Sequence, residues 1–269
     1  MNTVRKDEPQ EVDITVLVTC YNEAHLIGDT LNNVVAALRE VGCSYEILVI
    51  DDLSKDNSVA VIQEYIRVHP DAGVTLHANQ KNRGLATNYV EGAFLGRGRY
   101  YRLCCGDNCE PREVLANVFK HLGKADMVIP YQLQGEVAGK SPMRKNLSRV
   151  FTWLVNVISG YRIKYYNGMA IHLRWNVMRW HPSSYGFGFQ ADIVTRLLDE
   201  GASYLQVRST SVENKGSASS ALTLRNLLSV THTLLEITIR RVRKFLYGKE
   251  LPKPREIFLG EKDECDDRR

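Results

Sequence analysis

The sequence has no uninterrupted apolar run of the roughly 18 residues that a membrane-spanning helix requires, so no helix is expected to cross a bilayer. It has no paired CxxC motifs and no histidines at zinc-ligand spacing, which argues against a structural metal at Cys104, Cys105 and Cys109. Its six cysteines do not resemble a disulfide framework, since Cys104 and Cys105 are adjacent. Reduced thiols in a cytosolic protein are expected, and no secretory signal is expected ahead of the first strand. A formal net charge of +4 on 269 residues is too small to imply a nucleic-acid partner. No internal repeat is visible. What remains is a chain of ordinary globular composition, long enough for one large domain or two small ones.

The organised part starts at Ile14-Thr15-Val16-Leu17-Val18-Thr19, a β-branched run that reads as a buried strand. Leu26, Ile27, Leu31, Val34, Val35 and Leu38 then recur at helical spacing, with Gly42 as the stop. The alternation continues: strand 47–50, a helix carrying Val59, Ile62 and Tyr65, strand 74–77, a helix within 84–98, and strand 100–105. A helix from Pro111 to about His121 and strand 127–130 follow. Further on come helix 143–159, strand 170–173, helix 189–200, strand 204–207 and a long helix from about Leu222 to Tyr247. Strands alternating with helices predict βαβ units and a mainly parallel sheet. Residues 135–142 form a polar, glycine-containing stretch suited to a lid. Residues 1–12 and 249–269 read as flexible tails.

The strand Tyr100–Cys105 stops at Gly106 and is followed by Asp107, Asn108 and Glu110, while the second strand ends on Asp51-Asp52-Leu53-Ser54. Open α/β sheets bind ligands at the carboxyl ends of their strands. There Asp51 or Asp52 can accept hydrogen bonds from a base or ribose, and Asp107 can hold a hard divalent cation against phosphate oxygens. The same residues could equally be helix caps and turn acids.

Taken together, Val18-Thr19-Cys20-Tyr21-Asn22-Glu23, Val49-Ile50-Asp51-Asp52-Leu53-Ser54-Lys55-Asp56, Asn82-Arg83-Gly84 and the Asp107 turn resemble family 2 glycosyltransferases of the GT-A fold. That resemblance implies an α/β, Rossmann-like, mainly parallel sheet flanked by helices over residues 13–220, with a C-terminal amphipathic helix over 221–248. It implies a donor site for a nucleotide-diphosphate sugar built from Thr19, Tyr21, Glu23, Asp51, Asp52, Asn82, Gly84 and Asp107. A Mg2+ or Mn2+ ion, weakly held without nucleotide, would sit on Asp107 and Asn108.

Later segments resemble the dolichyl- and polyprenyl-phosphate sugar synthase branch. Arg144 and Ser148, followed by Arg149, match its acceptor-phosphate helix; Gly186–Asp192 and Glu213–Ser217 match two further elements more loosely. Arg144 and Ser148 lie four residues apart, on one helical face, where a guanidinium and a hydroxyl can grip one phosphate. A phosphate monoester, with a second pKa of about 6, is largely dianionic near neutral pH and needs no general base. Family members acting on a hydroxyl normally carry an acidic base where this chain has Phe189-Gln190, leaving Asp192 as the acid at hand.

The resemblance therefore implies an inverting hexosyltransferase that moves a sugar onto a polyprenyl phosphate, cytoplasmic and peripheral at the inner face of a membrane. Two alternatives stay open: a soluble enzyme acting on a hydroxyl with Asp192 as base, and a non-catalytic nucleotide-sugar-binding subunit. A nucleotidyltransferase is disfavoured because no glycine-rich basic loop follows the first strand. The chain departs from the family pattern at Cys105 in place of the first metal-motif Asp, at Cys109 in place of a following Gln, and at Leu53 in place of Gly. The final helix, apolar at Leu227, Leu234, Leu235, Ile239 and Val242 and basic at Arg240, Arg241, Arg243 and Lys244, suits an anionic bilayer surface. It suits equally the protein's own core or a partner subunit, including a second copy of the chain.

Overall fold

The computed structural model describes residues 11–132, 142–179, 188–209, 224–248 and 251–258. The expected lid, apart from Pro142, lies outside these, as do Gly186, Phe187 and the Glu213–Ser217 loop.

The amino-terminal half alternates as the periodicity predicts: β1 (Val12–Cys20), α1 (Ile27–Val41), β2 (Tyr45–Asp51), α2 (Ser58–Val68), β3 (Val74–Ala78), α3 (Leu85–Leu95) and β4 (Gly98–Cys105). The parallel register runs from Ile14 opposite Tyr45 to Cys20 opposite Asp51, and from Val12 opposite Gly98 to Thr19 opposite Cys105. All these strands therefore end together, and their terminal turns meet at one edge. Gly42 stops α1 in a left-handed conformation, its N–H donating to Leu38 O.

Then follow α4 (Arg112–Phe119), β5 (Met127–Tyr131), α5 (Pro142–Ser159), β6 (Ile171–Leu173), α6 (Arg174–Arg179), α7 (Phe189–Asp199), β7 (Ser203–Arg208), α8 (Leu224–Leu246) and β8 (Arg255–Ile257). Among the described residues the strands form one sheet in the order β3-β2-β1-β4-β6-β5-β7-β8. It is parallel except at β6, which runs antiparallel to β4 and β5. Alternate residues of β1 feed two cores. Val16 and Val18 share one with α1 residues such as Leu31 and Leu38, while Leu17 joins Tyr89, Tyr101 and the α7 residues Ile193 and Leu197 in the other.

Two features depart from expectation. The short helix α6 was not legible in six residues of mixed polarity. The tail beyond Pro252 is partly ordered rather than loose: Arg255–Ile257 adds to β7 as a parallel edge strand, and Glu256 accepts from Gln206 Nε2 at 2.7 Å. Three residues are too few for a periodic signal, and the partners that fix them lie some fifty positions earlier.

Candidate active site

The β1 turn and the β2 turn are built as one unit. Asp52 N donates to Cys20 O at 2.8 Å, Asn22 N to Ser54 Oγ at 2.9 Å, and Lys55 N to Asn22 Oδ1 at 2.7 Å. Glu23 N donates to Ser58 Oγ, and Ala24 N to Asp56 Oδ2. Thr19, Tyr21, Glu23, Asp51 and Asp52 are thus held along one short edge. Asp51 is 2% exposed, and its carboxylate accepts from Ser54 N at 3.0 Å and from the Ser54 hydroxyl.

Asp52 does something the sequence did not disclose. Its Oδ1 accepts from Arg83 N (2.7 Å) and Asn79 Nδ2 (3.0 Å), and its Oδ2 from Gly84 N (2.9 Å). Asn82 Nδ2 donates to Asp52 O at 3.0 Å. The carboxylate therefore clamps the 79–84 turn and the start of α3, where Gly84 adopts φ 78°. Burial opposes its ionisation, but the N–H donors from Arg83, Asn79 and Gly84 prevail and hold it below the usual carboxylate range.

The third turn follows β4. Gly106 N donates to Thr19 O at 2.9 Å, and a Cβ at Gly106 would lie 2.7 Å from that oxygen, so only glycine allows the β4 turn to dock on β1. Thr30 Oγ1 donates to Gly106 O, and Asn33 Nδ2 to Asn108 Oδ1 at 2.8 Å, so α1 braces the turn from one side. From below, the fully buried Arg102 donates to Met169 O at 3.0 Å and pairs with Glu110 at 2.6 Å. Asp107 Oδ1 accepts from Cys109 N at 3.3 Å.

Burial raises the proton affinity of Glu23, and the charges of Asp107 and Asp56 raise it further, which places Glu23 and Asp107 in one field. A cation between carboxylates of this kind relieves their repulsion. A hard divalent ion fits Asp107 as an oxygen ligand. Burial pushes the Cys104 thiol up to about 12, and the contact with Cys105, followed by burial, raises Cys109 as well. Asn108, expected beside Asp107 as a ligand, has its amide oxygen engaged by one hydrogen bond from Asn33. Among the described residues no three His, Cys, Asp or Glu side chains converge as a ready-made metal cage. A divalent ion here would need further oxygen ligands from water or a bound ligand.

The region of α5, α7 and α8 is organised differently. Arg144 and Ser148 fall in the first two turns of α5, and the exposed Arg149 donates to Asn146 Oδ1 at 3.2 Å. Asp192 is not presented as a base. It is 2% exposed and ion-paired to Arg196 (2.9 Å) and Arg240 (2.7 Å). Gln190 is equally buried, near Tyr89 and near His172, whose pKa burial lowers to about 4. The basic end of α8 also turns inward: Arg240, Arg241 and Lys244 all pair with Asp199, at 3.0, 2.9 and 3.3 Å, and only Arg243 of that cluster is exposed. Arg240 reaches Asp199 and Asp192 across 41 and 48 residues of chain, and such pairs left no local signature.

With this geometry in place, the chain can be set beside known proteins. The family model described as glycosyl transferase family 2 matches residues 15–179. A dolichyl-phosphate beta-glucosyltransferase of Dictyostelium discoideum is 30% identical over 100 residues, 35% of this chain and 31% of that protein. The dolichyl-phosphate beta-glucosyltransferase ALG5C of Trichomonas vaginalis is 29% identical over 170 residues, 58% of this chain and 50% of that protein. The matched segments thus span 31% and 50% of the length of these relatives. The mannosyltransferase PcManGT from Pyrobaculum calidifontis, solved in complex with GDP-Man and Mn2+, superposes with a TM-score of 0.55 at 19% identity, covering 93% of this chain and 68% of that one. The fold is GT-A, as the sequence pattern implied.

Proposed function

Because the chain belongs to glycosyl transferase family 2, we propose that it is an inverting hexosyltransferase moving a sugar from a nucleoside diphosphate to a polyprenyl phosphate. The acceptor assignment rests on one observation above the rest. Asp192, the acid at hand for deprotonating a hydroxyl, is buried in ion pairs with Arg196 and Arg240. A carboxylate buried and engaged in this way is not presented to a substrate hydroxyl, which favours an acceptor that arrives already ionised. The printed names of the two relatives above, dolichyl-phosphate glucosyltransferases, support the same acceptor class.

In this reading Thr19, Tyr21, Glu23 and Asp51 hold the base and ribose, and Asp52 acts by fixing Asn82 and Gly84 where the donor lies. Asp107 would hold a divalent cation, which would supply positive charge at the leaving diphosphate. Asn108 keeps the Asp107 turn in register through Asn33. Arg144 and Ser148, with Arg149 nearby, orient the acceptor phosphate. One of its oxygens attacks the anomeric carbon as the bond to the diphosphate oxygen breaks, inverting that centre. The nucleoside diphosphate leaves with the electron pair, and no proton need be removed.

Among the described residues no helix is long and apolar enough to cross a membrane. The lipid acceptor instead calls for a surface that meets the bilayer. Helices α5 and α8 pack on each other, and each exposes an apolar stripe: Leu147, Val150, Trp153 and Val157 on α5, and Leu235, Ile239, Val242 and Phe245 on α8. These stripes, rather than the inward-turned cations Arg240, Arg241 and Lys244, are assigned the membrane contact.

Labelled nucleotide sugars offered with Mn2+ and either a polyprenyl phosphate or the corresponding alcohol test the proposal. Product from the phosphate alone is expected. Equal transfer to the alcohol would restore a hydroxyl acceptor, and nucleotide binding without transfer to either would favour a non-catalytic subunit.

A further inference from the structure

Three non-glycine residues among those described have a positive φ: Asn22 at 58°, Leu53 at 65° and Asn108 at 54°. All three stand in the turns at the carboxyl edge of the sheet. For the two asparagines the conformation has a local reason, since short amide side chains tolerate it and both amide oxygens are used, by Lys55 N and by Asn33 Nδ2. Leucine has neither advantage. A glycine at position 53 would adopt the same backbone without strain, yet the chain places there a branched apolar side chain that is 44% exposed and in neither core. Strain kept at a ligand-binding edge points to a role.

The neighbour that gives Leu53 a role is Tyr21, 46% exposed. Cys20 and Asp51 are register partners, and each of the two side chains follows shortly after its partner. The bonds Asp52 N to Cys20 O and Asn22 N to Ser54 Oγ fix the spacing of the two turns before any ligand arrives. Strand β1 lies between β2 and β4, so the Leu53 turn and the Asp107 turn are two strand spacings apart, about 9–10 Å. That is the separation expected between the base end and the diphosphate end of one extended nucleotide.

We propose that Leu53 is a specificity-determining residue of the donor site, forming with Tyr21 two apolar walls between which a planar heteroaromatic base is held. The inference deepens the glycosyltransferase reading and rests on it. The leucine supplies contact to the base faces, while the diphosphate is held at the Asp107 turn.

Calorimetric titration with Mn2+ present tests this on the full chain, using UDP, GDP, CDP, ADP and TDP as probes and inorganic diphosphate as the base-free control. For the nucleotide that binds best, Leu53→Gly is expected to weaken binding about tenfold, in the range that loss of a small apolar contact gives. Its diphosphate binding should be unchanged, its thermal midpoint at or above that of the parent, and Leu53→Met should recover affinity to within about threefold. Parental nucleotide affinity in Leu53→Gly would overturn the inference alone, as would an equal loss for inorganic diphosphate. A parent protein that binds none of the five nucleotides would overturn the donor site itself, and the inference with it.

Discussion

The donor edge and the α5/α8 layer solve opposite problems. At the donor edge, three turns are cross-braced by short polar contacts so that Asp51, Asp107 and Tyr21 are placed before a ligand binds. In the α5/α8 layer Asp192 and Asp199 root α8 in the body through inward-facing ion pairs, Phe151, Val155 and Ile237 fill the core, and a second apolar stripe faces out. The difference teaches that charge on a helix is a poor guide to what the helix touches. The cationic end of α8 looks like a surface for anionic lipid in sequence, and in space it is a set of internal ion pairs.

The largest effect should come from cutting that root. Asp199→Ala leaves Arg240, Arg241 and Lys244 without their shared carboxylate, and removing one side of a buried pair costs about 3–5 kcal/mol. Denaturant titration should register that loss. A variant as stable as the parent would show that the network is only a solvated surface after all.

On the donor side, Asp52→Ala removes charge-assisted bonds to Arg83 N, Gly84 N and Asn79, and a destabilisation of about 2–3 kcal/mol is expected. The pH dependence carries a sign. Because the folded pKa lies below the ordinary 3.8, the parent's advantage over the variant is full above that value and shrinks as pH falls through the depressed folded pKa. Stability curves that stay parallel down through this acid range would remove the carboxylate from the clamp.

Binding to anionic vesicles should separate the two halves more sharply. Trp153→Ser with Phe245→Ser deletes two side chains that are 62% and 84% exposed, and sedimentation with vesicles should fall at least about tenfold while stability holds. Unchanged sedimentation would assign this face to another partner.

The smallest effect is expected at Glu23. Its folded pKa is raised, first by burial and then by Asp107 and Asp56, so the charged form is penalised at neutral pH and the fold takes up the proton already above the ordinary 4.5. Metal-free Glu23→Gln should therefore melt slightly higher than the parent at pH 7, with the gap closing as pH falls through the raised folded pKa towards 4.5. A lower midpoint at pH 7 would mean that Glu23 is held by partners rather than strained by neighbours.

How far the sequence spoke for itself follows the same division. Buried parallel strands are written as continuous apolar runs such as Ile14–Val18 and Ile47–Ile50, and their ends carry the turn residues, so the first half and its strand-end turns were legible. Contacts that join distant positions were not. The Asp52 clamp needs Asn79 and Arg83, the β4 turn needs Asn33 and Arg102, and Asp192 is paired with Arg240, 48 residues away. Leu53 lay between: the missing glycine was visible in sequence, but the left-handed backbone that makes it matter was not.

The central claim is that the β1, β2 and β4 turns form one donor site completed by a divalent cation on Asp107. Nucleoside diphosphate affinity, measured with and without Mn2+ in the parent and in Asp107→Ala, tests it most directly. Mn2+ is predicted to tighten binding strongly in the parent and not in the variant, with both folded equally well. The same Mn2+ enhancement in Asp107→Ala would contradict the claim.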